Sequence, residues 1–170
     1  RSKIFIPGNS NELYKMILNN YQKKNINYFR LSEFQNKKPF LRNGFVVKKG
    51  KDVTIVVLGH SLDLVLTASD KLEKDSINTE IIYFNQINNV DMKNLVISVK
   101  KTNKLICIEE LSNKGGLFED CLKELSEVKF RSDHLAITDF IHKYGTYKEL
   151  ASSAGFNVNN IVKKVKNLIK

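Results

Sequence analysis

The period of the hydrophobic pattern changes several times along the chain. Residues 53–58 are apolar at every position except Thr54, and such a run is typical of a strand buried on both faces of a parallel sheet. The segments after it alternate between helical and strand-like spacing. They predict helices over 62–74, 91–101, 117–128, 147–154 and 158–169, and strands over 80–84, 105–108 and 134–138.

Repeated alternation of strand and helix predicts an α/β fold. We expect a three-layer α/β/α sandwich around a mainly parallel five-stranded sheet. A further short strand over 45–48 is closed by the turn sequence at 49–52, and we expect it to run antiparallel at an edge of the sheet.

The front of the chain has the pattern of a separate unit. A strand over 3–6, a helix over 12–21 and a strand over 27–31 form one βαβ unit, which cannot cover its own hydrophobic faces and needs more sheet beside it. Residues 32–43 are polar, contain Pro39 and show no sustained period, so we interpret them as a linker. A domain boundary is expected near residue 44.

Composition narrows the class of protein. The 170 residues, of which 42% are hydrophobic and 27% charged, fit one globular domain with a small extension. No stretch reaches the roughly 18 consecutive apolar residues of a membrane span. Cys107 and Cys121 suggest no disulfide framework, so we expect reduced core residues and a cytoplasmic protein. The three histidines lack metal-ligand spacing, and no metal site is predicted.

The net charge of +10 raises the question of a nucleic-acid partner. The lysines are dispersed along the chain, however, and the densest group lies at 163–170, where it alternates with apolar residues at helical spacing. Such a pattern is typical of the solvated face of a helix. We therefore expect no nucleic-acid partner.

Ligands of an open α/β sheet favour the carboxyl ends of its strands. Three stretches hold such positions: Gly59, His60 and Ser61 after the most buried strand, Glu109 and Glu110 after another, and Gly115 and Gly116 before a helix. These residues are our candidates for a ligand site or an interface. No combination of nucleophile, base and orienting group can be assembled from them, so no catalytic residue is predicted.

Structural explanations compete with the functional ones. Gly59 would provide a tight turn, Ser61 would cap the following helix, and His60 would be exposed. Adjacent glutamates after a strand point in different directions, so only one of Glu109 and Glu110 could face a site. Gly115 and Gly116 lack the lysine and the Ser or Thr of a phosphate loop.

A loop after the last strand supplies two more candidates. His142 and Tyr144 lie close to Lys143 there, and together these side chains could bind an anion or contact a partner. In the structural alternative, Tyr144 packs on the end of the sheet and Gly145 permits a turn before a helix cap at Thr146.

The order of these segments resembles the carboxy-terminal domain of the transketolase-like family. The resemblance begins with Asp52–Ser61 (DVTIVVLGHS), continues through Glu80–Ile87 and through Leu105–Glu110 with the following GGL, and ends in the helix that contains NIVKKV. It covers essentially residues 44–170. The front is similar to the last βαβ unit of the family's pyrimidine-binding domain, with IPGNSNEL before NYFRLS. The resemblance therefore implies the end of that domain over 1–33, a linker over 34–43 and the carboxy-terminal domain over 44–170.

The resemblance implies a parent enzyme that uses thiamine diphosphate and Mg to transfer two-carbon ketol units between sugars. The cofactor-binding parts would lie outside these residues, so we expect this chain alone to bind neither group and to be inactive. Its expected role is to support a homodimer together with the rest of the same enzyme. The beta subunit of a 2-oxo acid dehydrogenase and deoxyxylulose phosphate synthase share this plan and remain alternatives. A stand-alone module that binds an anion or a protein is an alternative of another class.

One position departs from the family pattern. Where the family has an arginine that helps to hold the substrate phosphate, this chain has Glu33. A carboxylate repels phosphate, and Arg30 need not point in the same direction. The resemblance therefore leaves open an unphosphorylated substrate or a different mode of binding.

Overall fold

The computed structural model describes residues 2–88 and 90–170 of the chain. Residue 1, where the predicted front unit begins, lies outside the described part. Eight strands are assigned: β1 Lys3–Phe5, β2 Asn27–Phe29, β3 Phe45–Lys48, β4 Val53–Leu58, β5 Thr79–Phe84, β6 Gln86–Ile87, β7 Lys104–Ser112 and β8 Arg131–Ile137. Six α-helices accompany them: α1 Ser10–Asn20, α2 Leu62–Lys74, α3 Lys93–Thr102, α4 Leu117–Glu124, α5 Tyr147–Ser153 and α6 Val158–Ile169.

The main sheet has five strands in the order β3-β5-β4-β7-β8. β4 pairs in parallel with both β5 and β7, and β7 pairs in parallel with β8. β3 runs antiparallel to β5 at the edge. The predicted five-stranded, mainly parallel sheet with an antiparallel edge strand is confirmed.

Helices cover both faces of this sheet. On one face α2 and α6 pack over Ile55 and Val57, and on the other α3 and α4 pack over Val56 and Cys107. Because successive residues of a strand point to opposite faces, β4 must be apolar at nearly every position. The predicted three-layer α/β/α sandwich is confirmed.

The front unit forms a second, three-stranded sheet in the order β2-β1-β6. β1 and β2 are parallel and α1 lies between them in sequence, as the βαβ pattern predicts. β6 comes from the main part of the chain and pairs antiparallel with β1. The sequence did not predict β6, because two residues are too few to show a period.

A buried carboxylate joins the front unit to the main sheet. The Glu12 side chain is inaccessible to solvent and accepts hydrogen bonds from the backbone N–H of Phe40 at 2.7 Å and of Gly8 at 3.1 Å. Its Oε2 also accepts from the Tyr83 hydroxyl at 2.8 Å and the Asn85 amide at 3.4 Å. We call this group the Glu12 cluster. Residues 34–43, predicted as a linker, therefore include a segment held against both sheets.

Three predicted boundaries are wrong by three or more residues, one of them at the start of β8, which begins at Arg131 instead of 134. α4 ends at Glu124 instead of 128, because the chain turns there and the Val128 N–H bonds back to Leu125 O. β7 continues past 108 to Ser112, since it keeps pairing with β8 beyond a register shift. The longest described helix, α2, has 13 residues, and no helix in the described ranges has the length and hydropathy needed to cross a membrane.

Candidate functional site

The turn between β4 and α2 requires glycine. Gly59 has φ +62°, and a Cβ at this position would lie 2.7 Å from Ile6 Cγ2. The predicted tight turn is confirmed, and Ser61 holds the predicted N-cap position of α2, but its side chain makes no capping hydrogen bond. Asn36 supplies the cap instead: its Oδ1 accepts from Asp63 N at 3.2 Å, while its Nδ2 donates to Gly59 O at 3.1 Å.

His60 is buried at the end of β4, so the expectation that it is exposed is wrong. Its side chain is 4% exposed, and Nε2 lies 2.9 Å from Glu110 Oε2 and 2.7 Å from the Tyr147 hydroxyl. Because a carboxylate only accepts, Nε2 carries a proton in this arrangement. The other ring nitrogen, Nδ1, is buried without a hydrogen-bond partner.

Glu110 is the acceptor at the centre of this group. The Tyr147 hydroxyl donates to its Oε2, and Arg30 Nη2 lies 3.5 Å from its Oε1. Burial alone would raise the pKa of Glu110, but the bonds from His60 and Tyr147 and the Arg30 charge outweigh it and lower the pKa below its usual range. Burial and this neighbouring carboxylate raise the pKa of Tyr147, so the hydroxyl stays protonated.

Glu109 points the other way and caps a helix. Its Oε2 accepts from Leu117 N at 2.7 Å, and its Oε1 accepts from Phe118 N at 3.0 Å and contacts His134 Nε2 at 2.9 Å. A Cβ at Gly116 would lie 2.4 Å from Glu109 Oε2. The two adjacent glutamates therefore diverge, as strand geometry predicts, and Gly116 permits the carboxylate to approach the start of α4.

Cys107 completes a potential ligand group that the sequence did not reveal. One atom each of Cys107, Glu109 and His134 lies within 4.8 Å of the others. Cys107 and His134 face each other across β7 and β8, whereas they are far apart in sequence. Burial and the contact with Cys121 raise the pKa of the Cys107 thiol well above its usual range. A protonated thiol is a poor metal ligand, and both Glu109 oxygens already serve the helix cap.

The loop candidates lie apart from His60. His142 is exposed beside Phe140, with ring centroids 4.8 Å apart, and Tyr144 is fully exposed instead of packing on the sheet end. Gly115 has φ +74° and provides the turn before α4.

The structure adds two residues to the group around His60 and Glu110 that the sequence did not suggest, namely Tyr147 and Arg30. The capping box of α5, with Thr146 before Glu149, was a visible signal for where Tyr147 would lie.

A cavity of about 540 Å³ opens beside His60, between α2, α5 and the segment at 34–37. We call it the α2–α5 cavity. It is lined by Phe34, Gln35, Lys37, His60, Ser61, Asp63, Leu64, Thr67, Tyr147, Lys148, Ala151 and Phe156.

The architecture and sequence match one family of known proteins. The profile of the family described as "Transketolase, C-terminal domain" matches residues 43–161. A solved structure described as "Split gene transketolase, inactive beta4 tetramer" superposes with a TM-score of 0.85 at 24% identity, over 99% of this chain and 58% of that one. This superposition shows that the two chains share a fold.

Curated relatives are similar over most of this chain. The pyruvate dehydrogenase E1 component subunit beta of Staphylococcus aureus (strain Mu50 / ATCC 700699) is 26% identical over 130 residues, which are 74% of this chain and 39% of that protein. The 1-deoxy-D-xylulose-5-phosphate synthase of Geobacillus sp. (strain WCH70) is 26% identical over 127 residues, 73% of this chain and 20% of that protein. The chain thus spans well under half the length of these relatives. Since the profile covers most of its residues, this chain belongs to the transketolase C-terminal domain family.

Proposed function

We propose that this chain is the structural carboxy-terminal part of a thiamine diphosphate-dependent, transketolase-like enzyme. It comprises the last βαβ unit of the pyrimidine-binding domain over 1–33, a connecting segment over 34–43 and the carboxy-terminal domain over 44–170. Its role is to support the enzyme and its dimer. The parent enzyme transfers two-carbon ketol units.

The observation that carries this proposal is the uncovered face of the front unit. On α1 the side chains of Tyr14, Leu18 and Tyr21 are 63%, 49% and 65% exposed, and Tyr28 on β2 is 58% exposed. β2 pairs with β1 and has no second partner among the described strands. Exposed apolar groups of this kind, beside an open strand edge, mark a surface that another part of a protein covers. The rest of a pyrimidine-binding domain fits this requirement.

The side chains of the carboxy-terminal part support a structural role. Glu109 is committed to the start of α4, and Glu110 is committed to Arg30, His60 and Tyr147. The grouping of Cys107, Glu109 and His134 offers a thiol and an imidazole, whereas Mg²⁺ prefers oxygen ligands. These residues do not suit the family's metal, and we assign the cofactor to the rest of the enzyme.

Calorimetric titration with thiamine diphosphate and Mg²⁺ tests the proposal. The chain is titrated alone and after mixing with the purified upstream portion of the same enzyme. We expect binding only in the mixture, together with slower amide exchange in α1 and β2. Tight binding to the chain alone, or unchanged exchange in α1 on mixing, would contradict the proposed role.

The substrate class needs a second test, because relatives of two activities are equally similar to this chain. The reconstituted enzyme is assayed with a ketose phosphate, the corresponding unphosphorylated ketose and a 2-oxo acid as donors. Glu33 is exposed, and by the family resemblance it takes the position of the arginine that helps to hold the substrate phosphate. We therefore expect the unphosphorylated ketose to be preferred over its phosphate, and Glu33→Arg to reverse that preference.

A further inference from the structure

The α2–α5 cavity has a flat, mainly apolar wall. The rings of Phe34 and Tyr147 stack with centroids 4.3 Å apart and an interplanar angle of 22°. Leu64, Ala151 and Phe156 extend this surface. Its volume of about 540 Å³ falls in the range of small-molecule sites, which are roughly 300–1,000 Å³ and mostly lined by apolar side chains.

The polar groups at the cavity are mainly cationic. Lys37 and Lys148 line it, and neither ammonium belongs to an ion pair within residues 2–88 and 90–170. Asp63 is the acidic residue at the cavity, and its Oδ2 accepts from the Lys37 backbone N–H at 2.7 Å. The two lysine charges therefore exceed the acidic charge at the opening, which favours an anion.

His60 is a fixed part of the cavity wall. The residue lines the cavity, and its Nδ1 is buried without a partner. The ring is held in place from behind, because Nε2 contacts Glu110 and Tyr147. Glu110 in turn is paired with Arg30, so its charge does not cancel that of the lysines.

We propose that the α2–α5 cavity binds a small organic anion: a carboxylate or phosphate monoester with a flat apolar body. The body lies against Phe34 and Tyr147, and the anionic group lies near Lys37 and Lys148. This site belongs to the chain itself. It differs from the proposed thiamine-dependent activity, because it needs neither the upstream portion nor the cofactor.

Phenyl phosphate, benzoate, benzyl alcohol and inorganic phosphate are suitable probes, since they separate the anionic group from the apolar body. Calorimetric titration of the full chain in moderate salt measures the four dissociation constants. We expect phenyl phosphate and benzoate to bind at least tenfold more tightly than either benzyl alcohol or inorganic phosphate. Equal affinities for the charged and neutral aromatic probes would overturn the proposal.

Two substitutions on α2 test whether phenyl phosphate binds in the α2–α5 cavity. Thr67 is exposed on α2 and lines the cavity, so Thr67→Phe should place a ring in the cavity without disturbing the core and weaken binding of phenyl phosphate at least tenfold. Lys74→Phe, on the exposed last turn of the same helix, is the matched control. Unchanged affinity in Thr67→Phe would overturn the proposal.

The lysines are tested separately. Lys37→Met and Lys148→Met should each weaken phenyl phosphate binding by about two- to fivefold, as expected for exposed charge pairs. Lys114→Met, an exposed lysine outside the cavity, should leave the affinity unchanged. An equal effect of all three substitutions would point to general charge attraction and would overturn the assigned position of the anion.

Discussion

Glu109 and Glu110 are neighbours on β7, yet their carboxylates serve different parts of the molecule. Glu109 holds the start of α4, and Glu110 holds His60, Tyr147 and Arg30. That they diverge could be predicted from strand alternation alone. Their partners could not, because Arg30 and Tyr147 lie 80 and 37 residues from Glu110 along the chain. The position of Gly59 after a buried strand did predict its turn.

Replacing Glu109 should destabilise the fold. Glu109→Gln removes a charge and turns an amide N–H₂ toward backbone donors, leaving Leu117 N or Phe118 N unpaired in a buried place. We expect a loss of about 2–3 kcal/mol in the free energy of unfolding. Urea denaturation measures it, with the exposed Glu127→Gln as control. Equal stability of the two variants would show that the cap contributes little.

Glu110 should make stability depend on pH. The pKa of Glu110 is lower in the folded chain than the ordinary value of 4.5. The ionised carboxylate therefore makes its full contribution to the free energy of unfolding above pH 4.5, and this contribution is lost as the pH falls through the folded-state pKa. The stability difference between the wild type and Glu110→Gln should therefore be largest near neutral pH and shrink below pH 4.5. Urea unfolding from pH 7 to pH 3 measures this difference, and a constant value would contradict the assigned interactions.

Among the helices and strands, those whose buried apolar positions repeat over the most residues were predicted with the most accurate bounds. β4, α2 and α6 have the predicted bounds because their apolar positions repeat over six or more residues. β6 has two residues and forms only because β1 lies beside it. α5 differs again: it buries no residue, and its start depends on the capping box of Thr146 and Glu149. The spacing of its residues predicted this helix, and the cap at Thr146 marks where it begins.

The Thr146 cap should control local opening of α5. Thr146→Ala removes the acceptor of the Glu149 N–H and should cost about 1 kcal/mol, which corresponds to roughly fivefold faster amide exchange in this helix. The unfolding midpoint should change little, because α5 buries no residue. Hydrogen exchange followed by NMR measures both. Ser152→Ala, an exposed site in the same helix, is the control and should not accelerate exchange.

The whole molecule consists of two sheets joined through a polar contact as well as an apolar one. Ile6 of the front unit packs into the core that contains Leu58 and Phe84, and the Glu12 cluster ties α1 to β5. The family resemblance predicted two units. It did not predict that Glu12 joins them, because its partners come from three separate segments.

Coupling across the Glu12 cluster can be measured directly. Tyr83→Phe removes the hydroxyl that donates to Glu12 at 2.8 Å, whereas Glu12→Gln replaces the charged acceptor of this bond by a neutral amide and also weakens the contacts to Gly8 and Phe40. We expect Glu12→Gln to cost about 2–4 kcal/mol in the free energy of unfolding. The double variant should cost less than the sum by about 1 kcal/mol, because the shared bond is lost once. Additive losses would show that the two residues are not coupled.

The Glu12 cluster also bears on how such a protein can evolve by exchange of segments. Its acceptor lies at residue 12, and its donors lie at Gly8, Phe40, Tyr83 and Asn85. A crossover between relatives within residues 41–82 would join a foreign carboxylate to donors that did not evolve with it. Functional chimaeras should therefore inherit residues 8–85 as one block, even though this block crosses the boundary between the two units.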